Sequence, residues 1–182
     1  MKKIKLEHII LFTLLFLSLM LYLLVVLVAG FFDILSITVL VWILGFGVFS
    51  VLAKKKIADL LKKHYKLPRV INYFLLLTPL VLIEEFLTCE LPYLACISIT
   101  LPVFYLMFAI TYFIQAKTKI PWLATAILFG FFGWVNEFLF VGRIFVYDLL
   151  TTAIFSIIVF MVYAVLATLP SYYLESTFQK AF

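Results

Sequence analysis

The sequence predicts an all-α, polytopic integral membrane protein. We expect a six-span helical bundle with both termini cytoplasmic and a short interfacial amphipathic helix between spans two and three. Three observations point there. The 182 residues are 67% hydrophobic and 13% charged, where a soluble domain carries about half apolar and about a quarter charged residues. The mean hydropathy is +1.26. The apolar runs are each close to the roughly 20 residues that a bilayer core requires. No soluble core of this length hides that much apolar surface, so residues 1–182 read as a single transmembrane domain.

The first run, about Ile9–Phe31, follows the basic start Met1-Lys2-Lys3-Ile4-Lys5. It is longer than a signal-peptide core and lacks a small-residue cleavage pattern, so it reads as a retained span. The second span is about Ile34–Ala53 and the third about Val70–Thr88. The fourth is about Pro92–Ile114, the fifth about Pro121–Val141 and the sixth about Leu149–Leu169.

Lys and Arg set the orientation. With the N-terminus in the cytoplasm, every basic residue except Arg143 falls in an inner segment. The positive-inside rule then places both termini inside. The net charge of +5 is a topology signal, and no nucleic-acid partner follows from it. The implied partner is a bilayer with anionic headgroups on its inner side; a membrane-protein partner is a further candidate. The expected location is the cell (plasma) membrane. Acidic residues divide the other way. Glu7, Asp59 and Glu175 are inner, while Asp33, Glu84, Glu85, Glu90, Glu137 and Asp148 are outer or in the outer half.

The segment Lys54–Arg69 carries Ile57, Leu60, Leu61 and Tyr65 on one helical face and mostly Lys on the other. That pattern predicts a helix lying on headgroups. Docking of a cytoplasmic partner is the alternative. His8 and His64 read as surface residues. Trp122, Tyr172 and Tyr173 read as an inner aromatic belt, Tyr93 and Tyr147 as an outer one.

The chemistry lies in three carboxylates. Glu84 and Glu85 interrupt an apolar run in span three, and Glu137 interrupts span five within Trp134–Val141. Ile83-Glu84-Glu85-Phe86-Leu87 and Val135-Asn136-Glu137-Phe138-Leu139 share one pattern: β-branched, polar, Glu, Phe, Leu. Both spans run outward. At 1.5 Å per residue, Glu85 and Glu137 both sit roughly 22–24 Å from the inner boundary. Ionisable groups in hydrocarbon are costly and mark function by default. Glu84 and Glu85 point about 100° apart and need not face one neighbour. A protonated glutamate sits there as a neutral hydrogen-bonding group, so a proton shared among the three is an expectation of the pattern.

Arg143 is the one basic residue on the acidic side. It reads as a counter-ion to Glu84 or Glu85 across helices, or as an arginine solvated by headgroups. Asn136 shares its helical face. Gly130 and Gly133 lie on the Glu137 face and predict close approach of another helix there. Pro79 and Pro102 kink consecutive spans, and a small polar cavity between them is one expectation. Cys89 and Cys96 flank the short outer hairpin. We read them as two buried thiols, with a disulfide as the alternative.

The Glu84-Glu85 pair and the later Pro121–Gly133 stretch resemble the CAAX-protease and bacteriocin-processing family of intramembrane proteins. That family uses Glu-Glu-x-x-x-Arg, then Phe-x-x-x-His, then a further His. Here Cys89 stands at the Arg position, Gly133 stands where Phe129 calls for His, and no later span contains a histidine. The chain is therefore not assigned to that family. An all-carboxylate site suits a hard cation better than zinc. No Ser/His/Asp triad, phosphate loop, CxxC or haem motif is present, and no cofactor is implied.

The leading expectation is binding or translocation of a proton, cation or small cationic solute through Glu84, Glu85 and Glu137, with Arg143 and Asn136 beside them. The alternatives are an intramembrane enzyme using the glutamates as acid/base groups, and a structural or assembly subunit of a membrane complex.

Overall fold

The computed structural model describes residues 6–30, 34–64, 67–88, 92–140 and 149–178. Among them there is no strand. Helix α1 is Leu6–Ala29. Helix α2, Ile34–Thr38, passes through a π-helical segment, Val39–Phe46, directly into α3, Gly47–His64. Then come α4 (Arg69–Thr88), α5 (Tyr93–Thr118) and α6 (Trp122–Val135). A π-turn, Asn136–Phe140, extends α6. Helix α7 is Leu149–Phe178.

Five helices are long and apolar enough to cross a membrane, and α1 holds a shorter apolar stretch, Phe12–Val28. Their outward faces are apolar: Phe12, Phe86, Leu94, Leu106 and Phe113 are all strongly exposed. Surface of that kind and extent belongs in lipid.

Two expectations about the second and sixth spans need correction. No separate interfacial helix lies between spans two and three. The Lys-rich segment simply continues the second span as α3 to His64. Its buried side is Lys54, Ala58 and Leu61, not the face of Leu60, which is 49% exposed. Ala58 and Leu61 pack on Tyr173 of α7. The sixth span also outruns Leu169: α7 carries Pro170 inside it and continues to Phe178. A proline removes one backbone donor, and neighbouring helices make that tolerable in a bilayer.

Helix α7 is the axis of the bundle. It is apolar all round, the signature of a helix enclosed by others, and α1, α3, α4, α5 and α6 all pack on it. Close approach depends on small residues. A Cβ on Gly47 would lie 3.1 Å from Val165 and 3.3 Å from Leu14, at the junction of α1, α3 and α7. A Cβ on Gly130 would lie 2.7 Å from the Phe160 carbonyl oxygen. Gly133 is the tightest point: its Cβ would run into the ring of Tyr163. The ring of Tyr163 occupies the space that a side chain at 133 would fill. Trp42, fully buried, donates its Nε1–H to the Val162 carbonyl at 3.3 Å and fixes the π-helical segment to the same axis.

Beyond Pro170 the C-terminal part of α7 is tied to four helices by polar contacts. Gln115 Nε2 of α5 donates to Ser171 O at 3.0 Å. Asn72 Nδ2 of α4 donates to the Tyr173 hydroxyl at 3.0 Å. The Trp122 N–H, at the start of α6, donates to Glu175 Oε2 at 2.6 Å. Lys62 Nζ of α3 donates to Ser176 O at 3.2 Å. The last two follow the helix dipole, with a carboxylate at an N-terminus and a cation at a C-terminus.

Substitution at the glycines tests this packing. Gly133→Ala should destabilise the protein by about 1–3 kcal/mol through overpacking. Gly45→Ala, whose Cβ would meet nothing nearer than 3.6 Å, should be neutral or mildly stabilising. Thermal denaturation of both variants in detergent makes the comparison.

Candidate functional site: a buried carboxylate cluster

Helix α4 starts just after Pro68, whose carbonyl accepts from the Ile71 and Asn72 N–H groups. Its last turns carry Glu84 and Glu85 into the bundle, where they are 5% and 6% exposed. The two side chains take different neighbours, as their angular separation requires. The Thr88 hydroxyl, one turn on, is shared between the Glu84 carbonyl at 2.9 Å and Glu84 Oε1 at 3.2 Å. Glu85 turns to α5, where its Oε2 lies 3.0 Å from the Cys96 sulfur and its carboxyl borders the Thr100 hydroxyl.

Cys96 is disulfide-bonded, which replaces the expectation of separate thiols. Cys89, the other cysteine of the sequence, lies outside the described residues. A bridged sulfur carries no hydrogen. A hydrogen bond at this contact therefore runs from Glu85, in its acid form, to sulfur.

Glu137 enters from the opposite side on the π-turn after α6. Such turns widen a helix and recur at functional sites. Gly133 lies one turn earlier and admits the Tyr163 ring. The Tyr163 hydroxyl then donates to Glu137 Oε1 at 3.0 Å. Tyr163 is itself buried, and Glu84, Glu85 and Glu137 all lie within electrostatic reach of it. Glu85 and Glu137 are also within reach of each other. Of the three glutamates singled out in the sequence, Glu137 thus bonds one tyrosine of the central helix, and Glu84 and Glu85 lie within electrostatic reach of it. They do not converge as a metal cage: among the described residues, no group of three His, Cys, Asp or Glu side chains is placed to hold a metal ion.

Asn136 is half-buried at the end of α6, and its backbone N–H returns to the Gly133 and Phe132 carbonyls. Arg143 lies outside the described residues, as do Asp33, Glu90, Tyr147 and Asp148. Around Pro79, the Thr78 and Tyr105 hydroxyls pair at 2.9 Å. The groove beside them, of ≈ 250 Å³, is apolar, lined by Val70, Ile71, Phe74, Leu75 and Thr78, and stands apart from the glutamates.

Several polar residues here were not singled out from the sequence. Tyr163 organises the cluster, yet in sequence it is one aromatic among many. Lys54 reads as the first of three surface lysines but is 3% exposed. Its Nζ donates to the Val51 carbonyl at 2.9 Å and lies 5.1 Å and 5.4 Å from the ring centroids of Trp122 and Tyr172. Cation–π contacts of this kind strengthen when desolvated. Tyr173 is a buried contact of α7 and not part of a lipid-facing belt, while Tyr172 is half-buried. A polar residue inside an apolar run, as with Asn72 and Gln115, is the signal that finds such positions.

Comparison of the chain with protein-family models, curated proteins and solved structures returns no match. The cluster is interpreted from its own geometry.

The Tyr163–Glu137 bond is open to a double-mutant cycle. Tyr163→Phe should lower stability by about 1–3 kcal/mol, because it strips a donor from a carboxyl in a low-dielectric setting. In a Glu137→Gln background the same change should cost distinctly less. Chemical or thermal denaturation in detergent measures both.

Proposed function

We propose that this chain crosses the plasma membrane six times with both termini cytoplasmic, and that it binds and translocates a proton or small cationic solute through Glu84, Glu85 and Glu137. The observation that supports the reading is the buried Tyr163 hydroxyl of the central helix, which bonds Glu137 and lies within electrostatic reach of Glu84 and Glu85. Uncompensated carboxylates are expensive in hydrocarbon. A bundle that encloses three of them near one another holds fewer net charges when a proton, or a positively charged guest, joins them.

The local contacts assign different parts. Glu137 accepts a hydrogen from Tyr163. Glu85 faces a sulfur that has no hydrogen to give. Glu85 in its acid form carries a proton that Glu137, within electrostatic reach of it, can receive. The geometry favours a proton or a hydrogen-bonding cation over a bare metal ion, since no metal-ligand arrangement exists among the described residues. The enzyme alternative lacks support of the same kind, because no histidine or arginine is placed beside these glutamates among the described residues.

Orientation rests on the basic residues, all but Arg143 falling on one side of a six-span threading. Helix α1 supplies the sixth span, with an apolar stretch shorter than those of the other five.

Two experiments test this reading. Purified protein in liposomes loaded with a pH-sensitive dye should collapse an imposed proton gradient faster than empty liposomes. Glu85→Gln and Glu137→Gln should each slow that collapse at least tenfold. Parent protein that leaves the gradient intact, and equally moves no small organic cation, refutes the function. For topology, a C-terminal reporter that is active only outside the cell should stay silent.

A further inference from the structure

A second polar layer lies in the inner half of the bundle, and the glutamates do not account for it. Gln115 of α5 and Ser171 of α7 are both fully buried. The Gln115 amide nitrogen bonds the Ser171 carbonyl, but Gln115 Oε1 and Ser171 Oγ have no hydrogen-bond partner of normal geometry among the described residues. Beside Ser171 stands the Tyr73 hydroxyl, which also faces Thr111 Oγ1 at 3.5 Å. Tyr73 and Thr111 are fully buried as well. The Thr111 hydroxyl points its hydrogen at the Met107 and Phe108 carbonyls, so its lone pairs stay available. The layer is uncharged: Gln115 Oε1 is an acceptor, and the Ser171 hydroxyl both donates and accepts. A buried polar atom left without a partner costs about 1–3 kcal/mol. The chemistry that satisfies both is a small guest that donates hydrogen bonds and has a lone pair or a second hydrogen to share with a hydroxyl.

We propose that Gln115, Ser171, Tyr73 and Thr111 form an inner binding site for a water-sized hydrogen-bond donor. It is a second stopping point on the route to the glutamates. This rests on the translocation reading for its role in transport, though not for its existence. Between the layers stand Phe108 and Phe129, with ring centroids 3.8 Å apart. Phe108 touches Tyr73 on the inner side, with centroids 6.0 Å apart. Phe129 touches Tyr163 on the outer side, at 5.9 Å. One aromatic pair thus divides a neutral inner site from an acidic outer one. The neutral site suits a stopping point, because a guest held only by uncharged oxygens leaves readily. Pro170 immediately precedes Ser171 and removes a backbone bond of α7 there, which makes this the point where the helix yields to admit a guest.

The sign of one substitution decides the matter. A dry Ser171 Oγ is a liability, so Ser171→Ala would then leave the melting temperature unchanged or raise it. A guest-holding Ser171 makes the same change destabilising, by about 2–4 °C. The measurement is thermal denaturation of the full chain in detergent. Ser171→Ala made in a Tyr73→Phe background separates the guest from a direct Tyr73–Ser171 pairing. The proposal expects a further drop there, and no further drop overturns it. Repeating the series in ammonium chloride and in sodium chloride identifies the source of the donor. A rise specific to ammonium, present in the parent and lost in Ser171→Ala, assigns a small protonated cation. A drop in Ser171→Ala that is the same in both salts assigns water. If Ser171→Ala melts at or above the parent in both salts, no inner site exists. Because this readout needs no flux, an inactive protein in liposomes would remove the transport reading and leave the inner site standing.

Discussion

A helix surrounded by other helices in a bilayer must satisfy every polar group it carries from its neighbours, because no water reaches it. Helix α7 is that helix, and the rest of the bundle is arranged to meet its demands. Near its C-terminal end, α3, α4, α5 and α6 each reach in with a polar group for the segment beyond Pro170. Midway along, α7 makes the demand through Tyr163. The hydroxyl needs an acceptor, and Glu137 supplies one only because Gly133 leaves room for the ring. One missing side chain thus lets a phenol approach a carboxyl inside an otherwise apolar contact between α6 and α7.

The same enclosure governs the carboxyls. Glu84 and Glu85 are adjacent in sequence, so a single helix face cannot receive both. Burial of both is achieved by giving Glu85 to α5 and Glu84 to the interior beside its own Thr88. Three full negative charges in so small a volume would repel strongly at low dielectric. A protonated member relieves that repulsion and supplies a donor. That relief is what the proposed transport role draws on.

Much of this was legible in the sequence. Hydrophobic run length placed the helices, and α4 covers the expected third span from Val70 to Thr88. Glu84, Glu85 and Glu137 stood out because charge inside an apolar run is rare, and the matching depth of Glu85 and Glu137 anticipated their proximity. Gly130 and Gly133 pointed to a close helix contact near Glu137. What failed did so for identifiable reasons. The segment after Ala53 looked interfacial because its lysines dominate the composition, yet nothing in it breaks a helix, so α3 runs on. Lys54 looked solvated because its neighbours Lys55 and Lys56 are exposed. Only tertiary packing shows that Trp122 and Tyr172 enclose it. Leu169 looked terminal because the apolar run is interrupted there, but partners from four helices hold the chain helical beyond it. Tyr163 was invisible because sequence does not distinguish a tyrosine filling a glycine notch from one facing lipid.

The central claim is that the three glutamates share one enclosed site. A hydrophobic carbodiimide dissolves in the bilayer and adds to carboxylic acids, and each addition shows as one mass increment on the intact chain. Membranes treated to saturation and analysed by intact-protein mass spectrometry count those additions. Two or three additions accumulating on the same chain, at independent rates, would contradict a shared site. The account predicts saturation at a single addition per chain, because the first adduct fills the space around Tyr163 and blocks the remaining carboxyls.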